Sequence, residues 1–138
     1  MALRIKQLLM IVLVTVMATA GETKAQRSEP SVIALVNKAS WCHICEENSA
    51  RFEREILPAI KKNKSVQLVV NNVTDKKTKD LSRPKLEQAG LIEIAKKYKA
   101  TGVIYFLDAK SKRLLSKISL ASTSNDITTA YQKVLTTR

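Results

Sequence analysis

Three runs of five mainly apolar residues, 32–36, 66–70 and 103–107, are the clearest feature of the hydrophobic pattern. Each run is rich in β-branched residues and has the length of a strand that is covered on both faces of a sheet. A fourth segment, 113–120, alternates apolar and polar positions and follows the turn-like residues 108–112. The pattern therefore predicts four strands, of which the last two form an antiparallel hairpin.

Helical patterns fill three of the intervals between and after these runs. The segment from 42 to about 57 has helical composition, and Pro58 is expected to end or kink this helix because proline lacks a backbone donor. The segment 91–98 fits a short amphipathic helix. The last helix is predicted from apolar positions at i, i+3, i+4, i+7 and i+8 within 127–135, with Ser124 as its N-cap.

The interval 71–90 is polar and rich in lysine, and it contains Pro84. It is predicted to be a long connection with a single helical turn near 85–89. The strand–helix–strand order of 32–70 implies a parallel crossover. The predicted order of elements is β-α-β-α-β-β-α.

The first 20 residues have the pattern of a signal peptide. Arg4 and Lys6 precede the uncharged stretch 8–20, which is shorter than the roughly 20 apolar residues that cross a membrane core. Small residues at the end of this stretch favour cleavage after Ala20, and a second site follows Ala25. The alternative is an uncleaved anchor or a buried helix.

Cleavage would leave a flexible lead-in at 21–30 and one domain at 31–138, in the periplasm or secreted. The chain has 24 basic and 12 acidic residues, and loss of the first 20 residues lowers its formal charge from +12 to +10 by removing two basic residues. The lysines form scattered clusters with few aromatic residues between them, so no nucleic-acid binding is expected. Charge alone permits contact with a membrane surface, but no other feature supports such contact.

The chain has only two cysteines, Cys42 and Cys45, and they are spaced Cys-x-x-Cys between a predicted strand and a predicted helix. A sulfur at a helix N-terminus faces unpaired N–H groups and the positive end of the helix dipole, which favour thiolate over thiol. Cys42 is therefore the expected nucleophile. Cys45, one turn later, is the expected resolving cysteine, which would attack a mixed disulfide at Cys42.

Two other interpretations of the pair remain open. A purely structural disulfide would close so short a loop that it would stabilise the fold little. A metal site would have Cys42, Cys45 and His43 as ligands, which falls short of the four ligands of a structural zinc site but allows an ion such as Cu(I). We expect neither a metal nor a cofactor.

The neighbours of the pair add two supporting candidates. A charged His43 would favour the Cys42 thiolate, and the alternative is an exposed side chain without a partner. Trp41 offers a flat surface that can contact an incoming substrate, and the alternative is a tryptophan that packs in the core.

Residues 31–137 resemble the thioredoxin family in their Trp-Cys-x-x-Cys motif at 41–45 and in the segment 98–108 before and within the predicted third strand. The resemblance implies an α/β fold with a central mixed sheet of about four to five strands flanked by helices. It also implies an enzyme that exchanges thiols and disulfides with partner proteins, in which Cys42 and Cys45 form a redox-active disulfide. Such a protein would be a monomer, and as a reductant it would take electrons from a membrane reductase.

The chain departs from the family pattern at three places. Thr101 is followed by Gly102 where the family has a cis-proline, so substrate docking is less determined. Val36 occupies the place of a buried acid, so proton transfer to Cys45 needs another group. The dipeptide between the cysteines, His43-Ile44, matches neither reducing nor oxidising relatives, which leaves the direction of electron flow open. A reductant is preferred, and the alternative is a binding module whose motif holds a metal such as Cu(I) or Zn.

Overall fold

The computed structural model describes residues 28–137. The predicted signal peptide at 1–20 and most of the lead-in at 21–30 lie outside these residues. No helix within 28–137 is long and apolar enough to cross a membrane.

The described residues form four strands and five α-helices. In chain order these are β1 (Val32–Lys38), α1 (His43–Arg51), a π-helical segment (Phe52–Ile56), α2 (Leu57–Lys62), β2 (Val66–Asn72), α3 (Lys76–Gln88), α4 (Ile92–Lys97), β3 (Val103–Asp108), β4 (Leu114–Ser119) and α5 (Ser124–Thr136). The strands lie in the order β2-β1-β3-β4. β1 runs parallel to β2 and antiparallel to β3, and β3 and β4 form the antiparallel hairpin. The predicted α/β fold with a mixed four-stranded sheet is confirmed.

Both faces of the sheet are covered by helices. Successive residues of β1 alternate between the faces, and six of its seven residues are buried. One face packs against the π-helical segment, α2 and α5, and its cluster includes Val32, Ala34, Val36, Phe52, Ile56, Ile60, Ile127 and Tyr131. The other face packs against α3 and α4, and its cluster includes Ile33, Leu35, Leu86, Ala89 and Leu91.

Helix α3 replaces the long connection that we predicted between the second strand and the following helix, so that prediction is wrong. Asp75 caps the helix: its carboxylate accepts from the Thr78 N–H at 2.8 Å, and the Thr78 hydroxyl accepts from the Asp75 N–H at 3.0 Å. Leu86 is buried against the sheet. The cap and this burial hold a helix that contains Pro84 and has few apolar residues.

Pro58 does not end the first helical stretch, which continues to the end of α2. The chain passes through the π-helical segment before the proline, and the Leu57 N–H donates to the Phe52 carbonyl five residues earlier. Pro58 stands at the start of α2, where a missing N–H costs little.

The side chains of β4 do not follow simple alternation. Leu114 packs on the α3–α4 side of the sheet and Ile118 on the opposite side, although both have the same parity. The strand register shifts between Phe106 and Leu107, which leaves Leu115 without a paired residue in β3. This bulge reverses the alternation along the strand.

Helix α5 is capped one residue before the predicted position. The Thr123 hydroxyl accepts from the Asp126 N–H at 3.1 Å. Ser124 instead donates from its hydroxyl to Glu55 and accepts from Arg51 at 2.9 Å, which ties α5 to the first helical stretch.

Candidate active site

Cys42 and Cys45 lie where the chain leaves β1 and enters α1. Cys42 is the N-cap residue of α1, and Cys45 is in its first turn. The two sulfurs are joined in a disulfide, and the Cα atoms are 5.2 Å apart. The Cys45 N–H donates to the Cys42 sulfur at 3.2 Å. Both residues are buried.

This arrangement favours negative charge on Cys42 once the disulfide is reduced. The sulfur occupies the place of an N-cap oxygen, so it receives one of the N–H groups that a helix leaves unpaired. The positive end of the α1 dipole acts in the same direction. The N-cap position therefore prepares Cys42 to be a nucleophile.

Trp41 lies on the surface next to the pair, with 64% of its area exposed. Its indole N–H donates to the Thr74 carbonyl at 3.2 Å, and the Thr74 hydroxyl accepts from the Ser40 N–H at 3.0 Å. These bonds fix the turn before Cys42 to the loop that follows β2. The alternative of a tryptophan packed in the core is wrong for Trp41.

His43 is exposed and has a partner. Its Nε2 lies 3.0 Å from a carboxylate oxygen of Glu47 on the next turn of α1, and 79% of the His43 side chain is accessible. The structure thus places His43 on the outer face of the helix, paired with Glu47.

The loop before β3 contains Thr101 and Gly102, and it brings Gly102 to Cys42. The Gly102 N–H donates to the Asn37 carbonyl at 3.0 Å, and its own carbonyl accepts from the Leu120 N–H at 2.8 Å. No peptide bond between described residues is cis, and Gly102 has a φ of 71°. The site therefore has a glycine in the left-handed region of φ, at the position where the thioredoxin family, which the sequence resembles, has a cis-proline.

Ile44 packs directly against Gly102. A Cβ at position 102 would lie 2.9 Å from Ile44 Cγ2 and 3.4 Å from the Cys42 sulfur. The residue between the cysteines thus fills the space that a side chain at 102 would need. Isoleucine at 44 therefore requires glycine at 102, unless the Ile44 side chain moves.

Two buried amides beneath this loop were not predicted from the sequence. Asn37 is 1% exposed, and its amide donates to the Tyr98 carbonyl at 2.7 Å and to the Ala100 carbonyl at 3.3 Å. Its side-chain oxygen accepts from the Asn71 amide at 3.0 Å. The sequence signal is that Asn37 and Asn71 each directly follow an apolar run. These bonds anchor the segment that leads to Gly102 on the ends of β1 and β2.

Two clefts reach Cys45. A cleft of about 370 Å³ is lined by Cys45, Lys38 and Glu46 among others. A smaller one of about 130 Å³ is lined by Cys45, Lys38 and Glu53 among others. Lys38 borders both, so it joins Glu46 and Glu53 as a candidate for proton transfer in place of a buried acid.

Within residues 28–137, no group of three or more His, Cys, Asp or Glu side chains is placed to hold a metal ion.

Neither a protein-family model nor a curated protein matches the chain. Among solved structures it is similar to thioredoxin from Wuchereria bancrofti, at 13% identity over 78% of this chain and 83% of the other, with a TM-score of 0.48. It is also similar to StoA from Bacillus subtilis, at 16% identity over 75% and 84% of the two chains, with a TM-score of 0.48. A third similar structure is Trxlp from Edwardsiella tarda, at 16% identity over 81% and 91%, with a TM-score of 0.45.

The strand order, the directions of pairing and the position of the cysteines decide the fold. The protein has a thioredoxin-like fold. Within this thioredoxin-like fold, the Cys-x-x-Cys pair begins the helix that follows the central strand β1, and the Gly102 loop lies against it.

Proposed function

We propose that the protein is an exported thiol–disulfide oxidoreductase that reduces or exchanges disulfides of partner proteins through Cys42 and Cys45. The observation that carries this proposal is the N-cap position of Cys42, whose sulfur accepts the Cys45 N–H at the start of α1. Exposed Trp41 beside the pair supports contact with a macromolecular partner.

The reaction proceeds by two exchanges. The Cys42 thiolate attacks one sulfur of the partner disulfide, so that a mixed disulfide forms and one partner thiolate leaves. Cys45 loses its proton and attacks the Cys42 sulfur, which restores the Cys42–Cys45 disulfide and releases the second partner thiolate. The two leaving thiolates take up protons. The partner gains two electrons, and the protein is oxidised by two.

Proton removal from Cys45 needs a group that can reach it. Lys38, Glu46 and Glu53 line the clefts at Cys45, and water in these clefts can carry the proton to a carboxylate. We assign this role to the Glu46 and Glu53 carboxylates, because a lysine ammonium group cannot accept a proton; Lys38, which borders both clefts, supplies a positive charge that favours the Cys45 thiolate. Glu47 is engaged with His43.

We favour a monomeric reductant whose Cys42–Cys45 disulfide is reduced again by a membrane reductase after each cycle. The signal-peptide pattern supports export, and an oxidising compartment requires such an electron donor. Cell fractionation followed by N-terminal sequencing tests export: periplasmic protein that begins at Gly21 or Gln26 supports it, and protein found in the cytoplasm with an intact Met1 contradicts it.

Trapping with Cys45→Ser tests the activity. This variant should accumulate mixed disulfides at Cys42 with partner proteins, whereas Cys42→Ser should trap none and should not reduce insulin. Equal trapping by both variants, or unchanged insulin reduction by Cys42→Ser, would reject the proposed mechanism.

Equilibration in glutathione buffers tests the direction. A reductant should have a potential well below about −200 mV, whereas a value near about −120 mV would make the protein an oxidant.

A further inference from the structure

A pocket of about 560 Å³ lies next to Trp41, and its volume is within the size range of ligand-binding sites. It is formed between α3 and α4 and the ends of β1 and β2. Trp41, the residue directly before Cys42, lines it on one side. Its apolar lining is completed by Val73, Leu86, Ile92 and Ala95. The buried amides Asn37 and Asn71 also border it.

The charged residues around this pocket are mainly basic. Four cations line it against one carboxylate, that of Asp80; the cations are Lys79, Arg83, Lys96 and Lys99. Asp80 is itself paired with Lys76 at 2.9 Å, and this hydrogen bond lowers the pKa of Asp80. Its charge is therefore already balanced by a lysine that does not line the pocket.

Two of the four cations have their own acidic neighbours on the same helix. These pairs are Arg83 with Glu87 at 3.0 Å and Lys96 with Glu93 at 2.6 Å. Within the described part of the chain, Lys79 and Lys99 have no carboxylate at salt-bridge distance. The pocket thus combines an apolar interior with two uncompensated positive charges at its rim.

We propose that this pocket binds the segment of a partner protein that adjoins its disulfide cysteine. That segment would have an apolar side chain and, near it, acidic side chains. The apolar side chain would lie against Trp41 and Leu86, and the carboxylates would face Lys79 and Lys99. Charge complementarity selects an acidic segment over a basic one. The inference rests on the proposed function and gives its substrate class: disulfides in acidic polypeptide segments.

The position of Trp41, directly before Cys42, explains how binding in this pocket would favour thiol–disulfide exchange at Cys42. Adjacent Cα atoms are about 3.8 Å apart, so a segment held against Trp41 has its cysteine close to Cys42. Binding there raises the effective concentration of the disulfide at the nucleophile, which increases the rate of the first exchange. The exposed lysines add mainly to the rate of encounter, and this contribution decreases with salt.

Binding is measured without exchange in the Cys42→Ser/Cys45→Ser protein. The probes are two peptides of equal length with one leucine and one serine in place of cysteine, flanked by glutamates in one and by lysines in the other. Trp41 is the only tryptophan in the chain, so its fluorescence reports occupation of the pocket. The acidic peptide should bind at least about tenfold more tightly than the basic one at low salt.

Charge-reversal variants test whether Lys79 and Lys99 cause the preference for the acidic peptide. Lys79→Glu/Lys99→Glu should abolish this preference, whereas Lys61→Glu/Lys64→Glu, an equal change near the start of β2 and far from the pocket, should leave it intact. Equal binding of the two peptides, or an unchanged preference in the Lys79/Lys99 variant, overturns the proposal. Free glutamate that binds as tightly as the acidic peptide also overturns it, because the site would then take a small anion.

Exchange is measured separately with the cysteine-containing forms of the two peptides, each as a mixed disulfide with a chromophoric thiol. The reduced wild-type protein should react at least about tenfold faster with the acidic form at low salt, and about equally fast with both forms at high salt. Acidic preference in binding without any exchange would reject the oxidoreductase proposal and retain the pocket. Exchange at equal rates with both peptides would retain the oxidoreductase and reject the pocket.

Discussion

Gly102 is constrained by its backbone conformation and by its neighbour. Its φ of 71° lies in the left-handed region, and a Cβ there would lie 2.9 Å from Ile44. Gly90 offers a comparison, because it has a φ of 68° but its nearest neighbour is the flexible end of Lys112 at 3.3 Å. Both glycines thus have a backbone conformation that disfavours other residues, but only at Gly102 would a side chain also clash with a neighbour.

Alanine at these two positions separates the two effects. Gly90→Ala should lower the free energy of unfolding by about 1 kcal/mol through backbone strain, and Gly102→Ala by at least about 2 kcal/mol because Ile44 must also move. Urea denaturation measures both. Adding Ile44→Ala should recover part of the loss at position 102 and none at position 90. Equal losses in the two single variants would show that Ile44 does not restrict the site.

At the scale of elements, the buried Asn37 amide joins the loop before β3 to the ends of β1 and β2. Its N–H groups donate to two carbonyls of that loop, and its side-chain oxygen accepts from the amide of Asn71. Removing it takes a partner from the buried Asn71 amide and from two partly buried carbonyls, and an unpaired buried group costs more than the bond itself contributes. The Asn37 side chain thus helps to hold the loop that places Gly102 against Cys42.

Asn37→Ala should lower the free energy of unfolding by about 2–3 kcal/mol. It should also accelerate hydrogen exchange at the Gly102 N–H, which bonds to the Asn37 carbonyl. Exposed Asn125→Ala is the control and should change stability by less than about 0.5 kcal/mol. A loss as small as that of the control would mean that the Asn37 amide is not needed to hold the loop.

The contact of α5 with the first helical stretch predicts a dependence of stability on pH. The Ser124 hydroxyl, and then Arg54, lower the pKa of Glu55 below its ordinary 4.5. A lowered folded-state pKa stabilises the protein above the unfolded pKa, and this contribution is lost as pH falls through the folded value. The difference in unfolding free energy between wild type and Glu55→Gln should therefore be constant above about pH 5 and decrease below it. A constant difference down to pH 3 would contradict the assignment to Glu55.

Elements with strong local patterns could be predicted from the sequence, whereas α3 could not. The first three strands show their burial in continuous apolar runs and α5 shows it in its periodicity, and Cys42 and Cys45 show their chemistry in their spacing. In α3 the stabilising features are a cap and a few buried side chains, while its polar composition and Pro84 argue against a helix. The Asn37 network and the basic pocket join residues far apart in the chain, so no local pattern indicates them.

At the scale of the whole molecule, the disulfide stands apart from both large clusters of the core. Cys42 and Cys45 form a small cluster of their own with Ala39, with Val73 packed against it. The sheet and the helices on its two faces are held by the clusters that contain the residues of β1. We therefore expect the fold not to depend on the oxidation state of the pair.

Reduction should consequently leave the protein folded, which separates a redox-active disulfide from a structural one. Loop-closure entropy for so short a loop gives at most about 2 kcal/mol in favour of the oxidised protein. The α1 N-terminus offsets part of this by stabilising the Cys42 thiolate. Urea denaturation with and without a reductant should thus show cooperative unfolding in both states, with free energies that differ by less than about 2 kcal/mol. The Cys42→Ser/Cys45→Ser protein, insensitive to reductant, controls for effects of the reagent. Loss of cooperative unfolding on reduction would make the bridge structural and would remove the basis for a catalytic cycle.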